Sequence, residues 1–170
     1  MKRIFNAAII ILTMLVTLGA APARPNEAEK FDTHLRGAQE VPPRETKAKG
    51  VAKFKLSKDG TELDFKLTVS NIENVAAAHI HCGAVGVNGP VGVTLFLGAA
   101  ASGPVSGVLA RGTITAPDSP NGCGWLTVAD VVAAMRIGNT YVNVHTNDGI
   151  APTNTGPGDF PGGEIRGQIE

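Results

Sequence analysis

The sequence predicts an all-β protein: an antiparallel β-sandwich of Greek-key, immunoglobulin-like type, with about eight strands and one short helix. Three observations predict it. Apolar and polar residues alternate at period two through most of the chain, the spacing of a strand with one face buried. Gly and Pro, 21 and 11 of the 170 residues, punctuate the junctions between those runs. A single segment shows helical spacing instead.

A different kind of segment precedes the β region. Met1-Lys2-Arg3 is a short cationic start, residues 4–20 are almost wholly apolar, and Ala21-Pro22-Ala23 is a small-x-small cleavage signal. Residues 1–23 therefore read as a secretory signal peptide, which makes the protein secreted, extracellular or periplasmic. Residues 24–30, "RPNEAEK", read as a flexible charged lead-in. Residues 31–170 are of a size for one domain.

The strands follow in order. "FDTHL" puts Phe31, Thr33 and Leu35 on one face. "VAKFKLS" buries Ala52, Phe54 and Leu56 and turns Lys53 and Lys55 outward. Asp59-Gly60 supplies a hairpin turn. "ELDFKLTVS" answers with Leu63, Phe65, Leu67 and Val69 inward. "AAHIHC" has Ala78, Ile80 and Cys82 inward, so His79 and His81 share the outer face. "GPVGVTLFLG" aligns Val91, Val93, Leu95 and Leu97, and "GVLARGTITA" aligns Val108, Ala110, Gly112 and Ile114. "LTVADVVAAMRIG" is the helix, with Leu126, Val128, Val131, Val132 and Met135 at its spacing. Thr127 is its N-cap, Asp130 lies in its first turn and Gly138 ends it. "TYVNVHT" faces Val142 and Val144 inward and Tyr141, Asn143 and His145 outward. "GEIRGQIE" closes the domain with Ile165 and Ile169 inward, and Glu164, Arg166 and Gln168 outward.

Charge excludes some partners. Loss of Lys2 and Arg3 with the leader leaves 13 basic residues against 15 acidic, a net charge of −2. Nucleic acid and anionic membrane both call for a basic footprint, so neither is expected. A protein or matrix ligand is the partner class left open. The even pair of cysteines in an exported chain, Cys82 and Cys123, suggests a disulfide. The other reading is a thiolate that binds a soft metal.

One constellation carries candidate chemistry. Two histidines at i and i+2 on a strand share a face, close enough for both rings to reach one ion. His145 has the same outward polarity on a later strand, 64 residues beyond His81. If those strands neighbour each other, three imidazoles form a copper or zinc site. Asn143 and Glu164 are the candidate partners that would orient the rings. The alternative is that the histidines decorate a β surface. Glu40, Glu164 and Arg166 read as a structural ion pair between strands rather than a catalytic acid pair. The 147–162 loop carries Asp148 and Asp159, oxygen ligands of the kind calcium takes. There is no GxSxG, and "GVNGPVG" lacks the GK[ST] ending of a phosphate loop.

Five blocks resemble a known family when taken together: "LRGAQEVPP", residues 52–96, "GVLARGTIT", "MRIGNTYVNVHT" and "PGGEIRGQIE". In this order they are similar to the chordin-type, or CHRD, domain across residues 31–170. That resemblance implies an exported β-sandwich module without a settled biochemical activity. The HIH strand and the later NVH strand are more distantly similar to the copper half of copper–zinc superoxide dismutase. That likeness implies His79, His81 and His145 as ligands, a loop-pinning disulfide between Cys82 and Cys123, and a metal-dependent oxidoreductase as the alternative function. It does not extend to a bridging histidine or a zinc-ligand cluster.

Overall fold

The structure is a computed structural model that describes residues 28–170. The expected signal peptide, residues 1–23, lies outside the described residues. The domain is all-β with one helix, as its periodicity predicts. The strands are β1 (Lys30–Arg36), β2 (Lys49–Leu56), β3 (Leu63–Glu73), β4 (Val75–Cys82), β5 (Val91–Leu97), β6 (Pro104–Ile114), β7 (Thr140–Thr146) and β8 (Ile165–Gln168). Helix α1 spans Val128–Arg136, and a 3-10 turn covers Gly37–Gln39.

All eight strands belong to one sheet in the order β5-β4-β7-β8-β1-β2-β3-β6, with every pairing antiparallel. The sheet curls until its end strands, β5 and β6, approach each other. The expected two layers are thus two walls of a single rolled sheet. Phe54, Leu63, Leu67, Ile80, Val142, Val144 and Ile165 fill the space between them. Strand β1 begins one residue before the expected domain start. Glu29 is already held by the Arg136 guanidinium, so the end of the lead-in is part of the fold. Among the described residues, no helix is long and apolar enough to cross a membrane.

Local chemistry explains the junctions. Asp59 accepts from the Ser57 and Thr61 hydroxyls and the Thr61 amide, and Gly60 takes a φ of 75°, so the β2–β3 hairpin turns where Asp-Gly predicts. Thr127 and Asp130 form a reciprocal capping box at the start of α1. Leu126 precedes the helix and is exposed, although its spacing placed it on the apolar stripe. The corner between β3 and β4 is Asn74, at a φ of 55°. Its backbone and side chain bond Gly103, Asn147 and Gly158, tying the β5–β6 and β7–β8 loops to one residue.

Two strands depart from strict alternation. A bulge in the β3–β6 ladder sits between Leu67 and Thr68, opposite Ala110 and Val108. It turns Leu109 toward the core and leaves Val108 half exposed, so the phase read from the sequence holds for only part of β6. Register shifts in β4–β5 likewise leave Leu97 exposed and turn Phe96 against the core.

Cys82 and Cys123 form a disulfide. It fastens the 115–127 segment against β5, where Trp125 covers Gly92. A Cβ at residue 92 would fall within the Trp125 ring. Gly92→Ala is therefore expected to cost about 1–3 kcal/mol through overpacking. Denaturant unfolding followed by Trp125 fluorescence checks this, and an unchanged midpoint would refute the contact.

Candidate metal centre

Strands β4, β7 and β8 carry apolar residues on the core face and polar ones on the other. His79, His81, Tyr141, Asn143, His145 and Arg166 all stand on the second face. Strand register places His79 opposite Asn143, His81 opposite Tyr141 and Asn143 opposite Arg166. The sequence marked this face as outward. It does face away from the core, but most of it is covered, with His79 and His145 left partly exposed. Tyr141, Asn143 and Arg166 are 1–2% exposed and His81 is 7% exposed. Residues 37–44, 83–90 and 147–163 cover it as a second, polar layer.

The pairing of β4 with β7 brings the three histidines together. Their ring centroids lie 5.0 Å (His79–His145), 5.6 Å (His79–His81) and 5.8 Å (His81–His145) apart. One ring nitrogen from each lies within 4.8 Å of the other two. His81 Nδ1 faces the Gly89 carbonyl at 2.9 Å, and His145 Nδ1 faces the Pro161 carbonyl at 2.9 Å. A carbonyl only accepts, so each Nδ1 carries the proton and each Nε2 keeps a lone pair. His81 Nε2, His145 Nε2 and His79 Nδ1 are buried with no hydrogen-bond partner. Burial holds the rings neutral. It pushes the His79 and His81 pKa values down to about 4 and lowers that of His145. Mutual repulsion among the rings adds to the shift at His79 and His81, while Asp118 opposes it at His79.

A profile of the CHRD domain family matches residues 31–169. The chain belongs to the CHRD domain family. No curated protein and no solved structure matches it.

The loops over this CHRD domain's polar layer are held by the charged residues marked in the sequence, but not as an ion pair. The only ion pair within 4.0 Å among the described residues is Arg136–Glu29. Arg166 donates to Asn88 Oδ1 and to the carbonyls of Ala84 and Val87, so its charge organises the 83–89 loop. Its guanidinium also lies 3.4 Å from the Tyr141 ring centre. His81 stacks on that ring from the opposite neighbouring strand, at 4.9 Å and 8°. The Tyr141 hydroxyl and Gly89 amide bond each other, which fixes the carbonyl that orients His81. Glu164 serves the other loop. It accepts from the Thr46 and Thr146 hydroxyls and from the Gly158 amide. That loop supplies the Pro161 carbonyl to His145.

Asn143 and Glu164 therefore do not orient the histidines directly; two backbone carbonyls do. Asn143 instead donates weakly to Glu40 at 3.4 Å. Glu40 is 4% exposed, and burial raises its carboxyl pKa to about 7 against the pull of Arg166 and Arg44. Cys82 is oxidised, so no thiolate accompanies the rings. Asp159 turns back on Thr155 within its own loop, while Asp148 caps Ile150. Among the described residues, the three histidines are the one cluster with ligand spacing. A cleft of about 580 Å³ lies beside Glu40 and Arg166 and is not lined by any of the three.

Sequence reasoning missed Tyr141, the Gly89 and Pro161 carbonyls and the part played by Arg166. Tyr141 left one signal: it is the only tyrosine of the chain, placed at a supposedly wet strand position.

Proposed function

We propose that this CHRD protein is an exported single-domain binding module whose three-histidine pocket takes one copper or zinc ion. The supporting observation is the trio of buried, partnerless ring nitrogens. Each is a polar nitrogen whose unmet burial costs about 1–3 kcal/mol, and on His81 and His145 it is the lone-pair nitrogen. One ion at their centre satisfies all three. Nitrogens within 4.8 Å of one another must draw in to about 3.4–3.6 Å for bonds of 2.0–2.1 Å, a motion within reach of small ring rotations. Neutral imidazoles suit copper and zinc rather than magnesium or calcium, and copper(II) binds more tightly than zinc in such a donor set. A bound ion would supply a Lewis-acidic centre with an open position, and copper a one-electron couple. The chain's own part is to hold the three rings neutral and correctly protonated. Export is supported by the leader pattern at residues 1–23 and by the disulfide.

Titration of the purified protein with copper(II) and with zinc(II) tests the reading. The parent is expected to bind one equivalent, with copper the tighter. His79→Ala/His81→Ala/His145→Ala is expected to bind none at this site. Equal, weak binding by both proteins would overturn the metal assignment and leave a protein or matrix ligand as the module's business.

A further inference from the structure

The net charge of −2 conceals a segregation. From residue 28 onward the chain has twelve Lys and Arg residues. Seven of them stand exposed on the solvent face of β1, β2, β3 and β6. Lys53, Lys66 and Arg111 lie directly opposite one another on three neighbouring strands. Lys30 pairs with Lys55, and Arg36 pairs with Lys49. Adjacent strands are about 4.8 Å apart, and like charges opposite each other destabilise a sheet. Three exposed acids lie on these strands: Asp32 opposite Lys53, Asp64 opposite Lys55, and Glu73 at the far end of β3. Asp64 is taken by the Thr113 hydroxyl at 2.7 Å, and neither Asp64 nor Asp32 lies within 4.0 Å of a cation. Between Arg36, Lys49 and Ser70 the face dips into a shallow depression of about 260 Å³ with Val51 and Thr68 on its floor.

We infer that this face binds a linear anionic polysaccharide. Charge complementarity requires a polyanion, and the shape of the face selects among polyanions. It is the outer wall of a rolled sheet, so it curves away from a plane. A membrane would meet it along one row of side chains, and it offers one exposed aliphatic, Val108, for insertion. Its one exposed ring is the His34 imidazole at the edge of the depression, and it presents no exposed Phe, Tyr or Trp to form a platform for successive bases. A flexible chain of sulfates or uronates can follow the curve. One anionic group would sit on the Lys53–Lys66–Arg111 row and another in the depression beside Arg36 and Lys49. The site lies on other strands than the histidines and is independent of them.

Calorimetric titration at about 50 and 200 mM salt tests this, with dextran sulfate, alginate and neutral dextran as probes. The tighter of the two charged polymers identifies sulfate or carboxylate as the recognised group. Affinity is expected to fall steeply with salt, and neutral dextran should not bind. Lys53→Gln/Lys66→Gln/Arg111→Gln should weaken binding about tenfold or more and flatten the salt dependence. Lys47→Gln/Lys58→Gln/Arg136→Gln removes the same charge away from the row and should change affinity by less than about threefold. Thermal melts of both variants verify that they fold. Equal weakening by the two variants would reduce the effect to net charge and overturn the site. So would no binding by the parent at the lower salt. Tighter binding of phosphatidylglycerol vesicles or of a single-stranded oligonucleotide than of either charged polymer would overturn the choice of occupant.

Discussion

Cys82→Ser/Cys123→Ser is expected to lower the unfolding free energy by about 4 kcal/mol. The two cysteines are 41 residues apart, and cross-linking that span removes loop-closure entropy from the unfolded chain. For a domain of this size the loss is a fall in melting temperature of about 8–16 °C. The folded state suffers as well, because the bridge fastens Trp125 over Gly92 and ends the strand that carries His81. Thermal melts of the oxidised parent, the reduced parent and the double variant measure the effect. The reduced parent should resemble the variant. A shift under about 1 kcal/mol would mean that the 115–127 segment is held by its other contacts alone. Thiol titration of the unfolded, unreduced protein should find no free thiol.

Acid should weaken the metal-free protein well above the range where carboxylates titrate. His79 and His81 have folded pKa values near 4, against about 6.5 in an unfolded chain, and His145 shifts the same way. Between those values the unfolded chain takes up protons that the native state refuses. Stability is thus complete above about pH 6.5 and is lost as pH falls toward 4. Glu40 opposes this. Its folded pKa near 7 lies above the unfolded value, so its contribution grows as pH falls through 7. Three histidines outweigh one carboxyl. With half-buried His79 discounted for solvent screening, the net loss is about 2–4 kcal/mol across that window. Denaturant midpoints of chelator-treated protein from pH 7 to pH 4 test the sign. In His79→Gln/His81→Gln/His145→Gln only Glu40 remains, so the slope between pH 6.5 and 5 should reverse. An identical slope in parent and variant would refute buried, neutral imidazoles.

The parts legible in the sequence were those written in short-range chemistry. Alternation around Phe54 and Leu67 reports a strand with one buried face. Asp59-Gly60 reports its own turn, and Thr127 with Asp130 reports a helix start, because each interaction closes within a few residues. What stayed hidden depends on non-local packing. Alternation says that Tyr141 and Arg166 point away from the core, but not that loops rich in Gly and Pro fold back over them. Those loops have no period to read. Leu109 was misplaced because a bulge depends on the partner strand. Glu164 and Arg166 suggested each other by proximity and opposite charge, yet each found closer hydrogen-bond partners in a different loop. Alternation in β2 turned Lys53 and Lys55 outward, but net charge hid the basic face, and Arg111 joins it from β6, whose place beside β3 only the topology gives.

The histidines' orienting partners are main-chain oxygens, and this shapes how the centre would respond to sequence change. A side-chain substitution cannot delete a carbonyl. A survey that truncates each loop residue in turn would find the surroundings of His81 and His145 strangely indifferent, although both rings depend on them. Sensitivity would concentrate where the path of the chain is fixed: at Gly89, which packs too closely on Cys82 for any side chain, and at Arg166 and Glu164, which clamp the two loops from below. Loop sequences could therefore drift widely between relatives while the two carbonyls stay in place, so that sequence variability over this centre would be a poor guide to its importance.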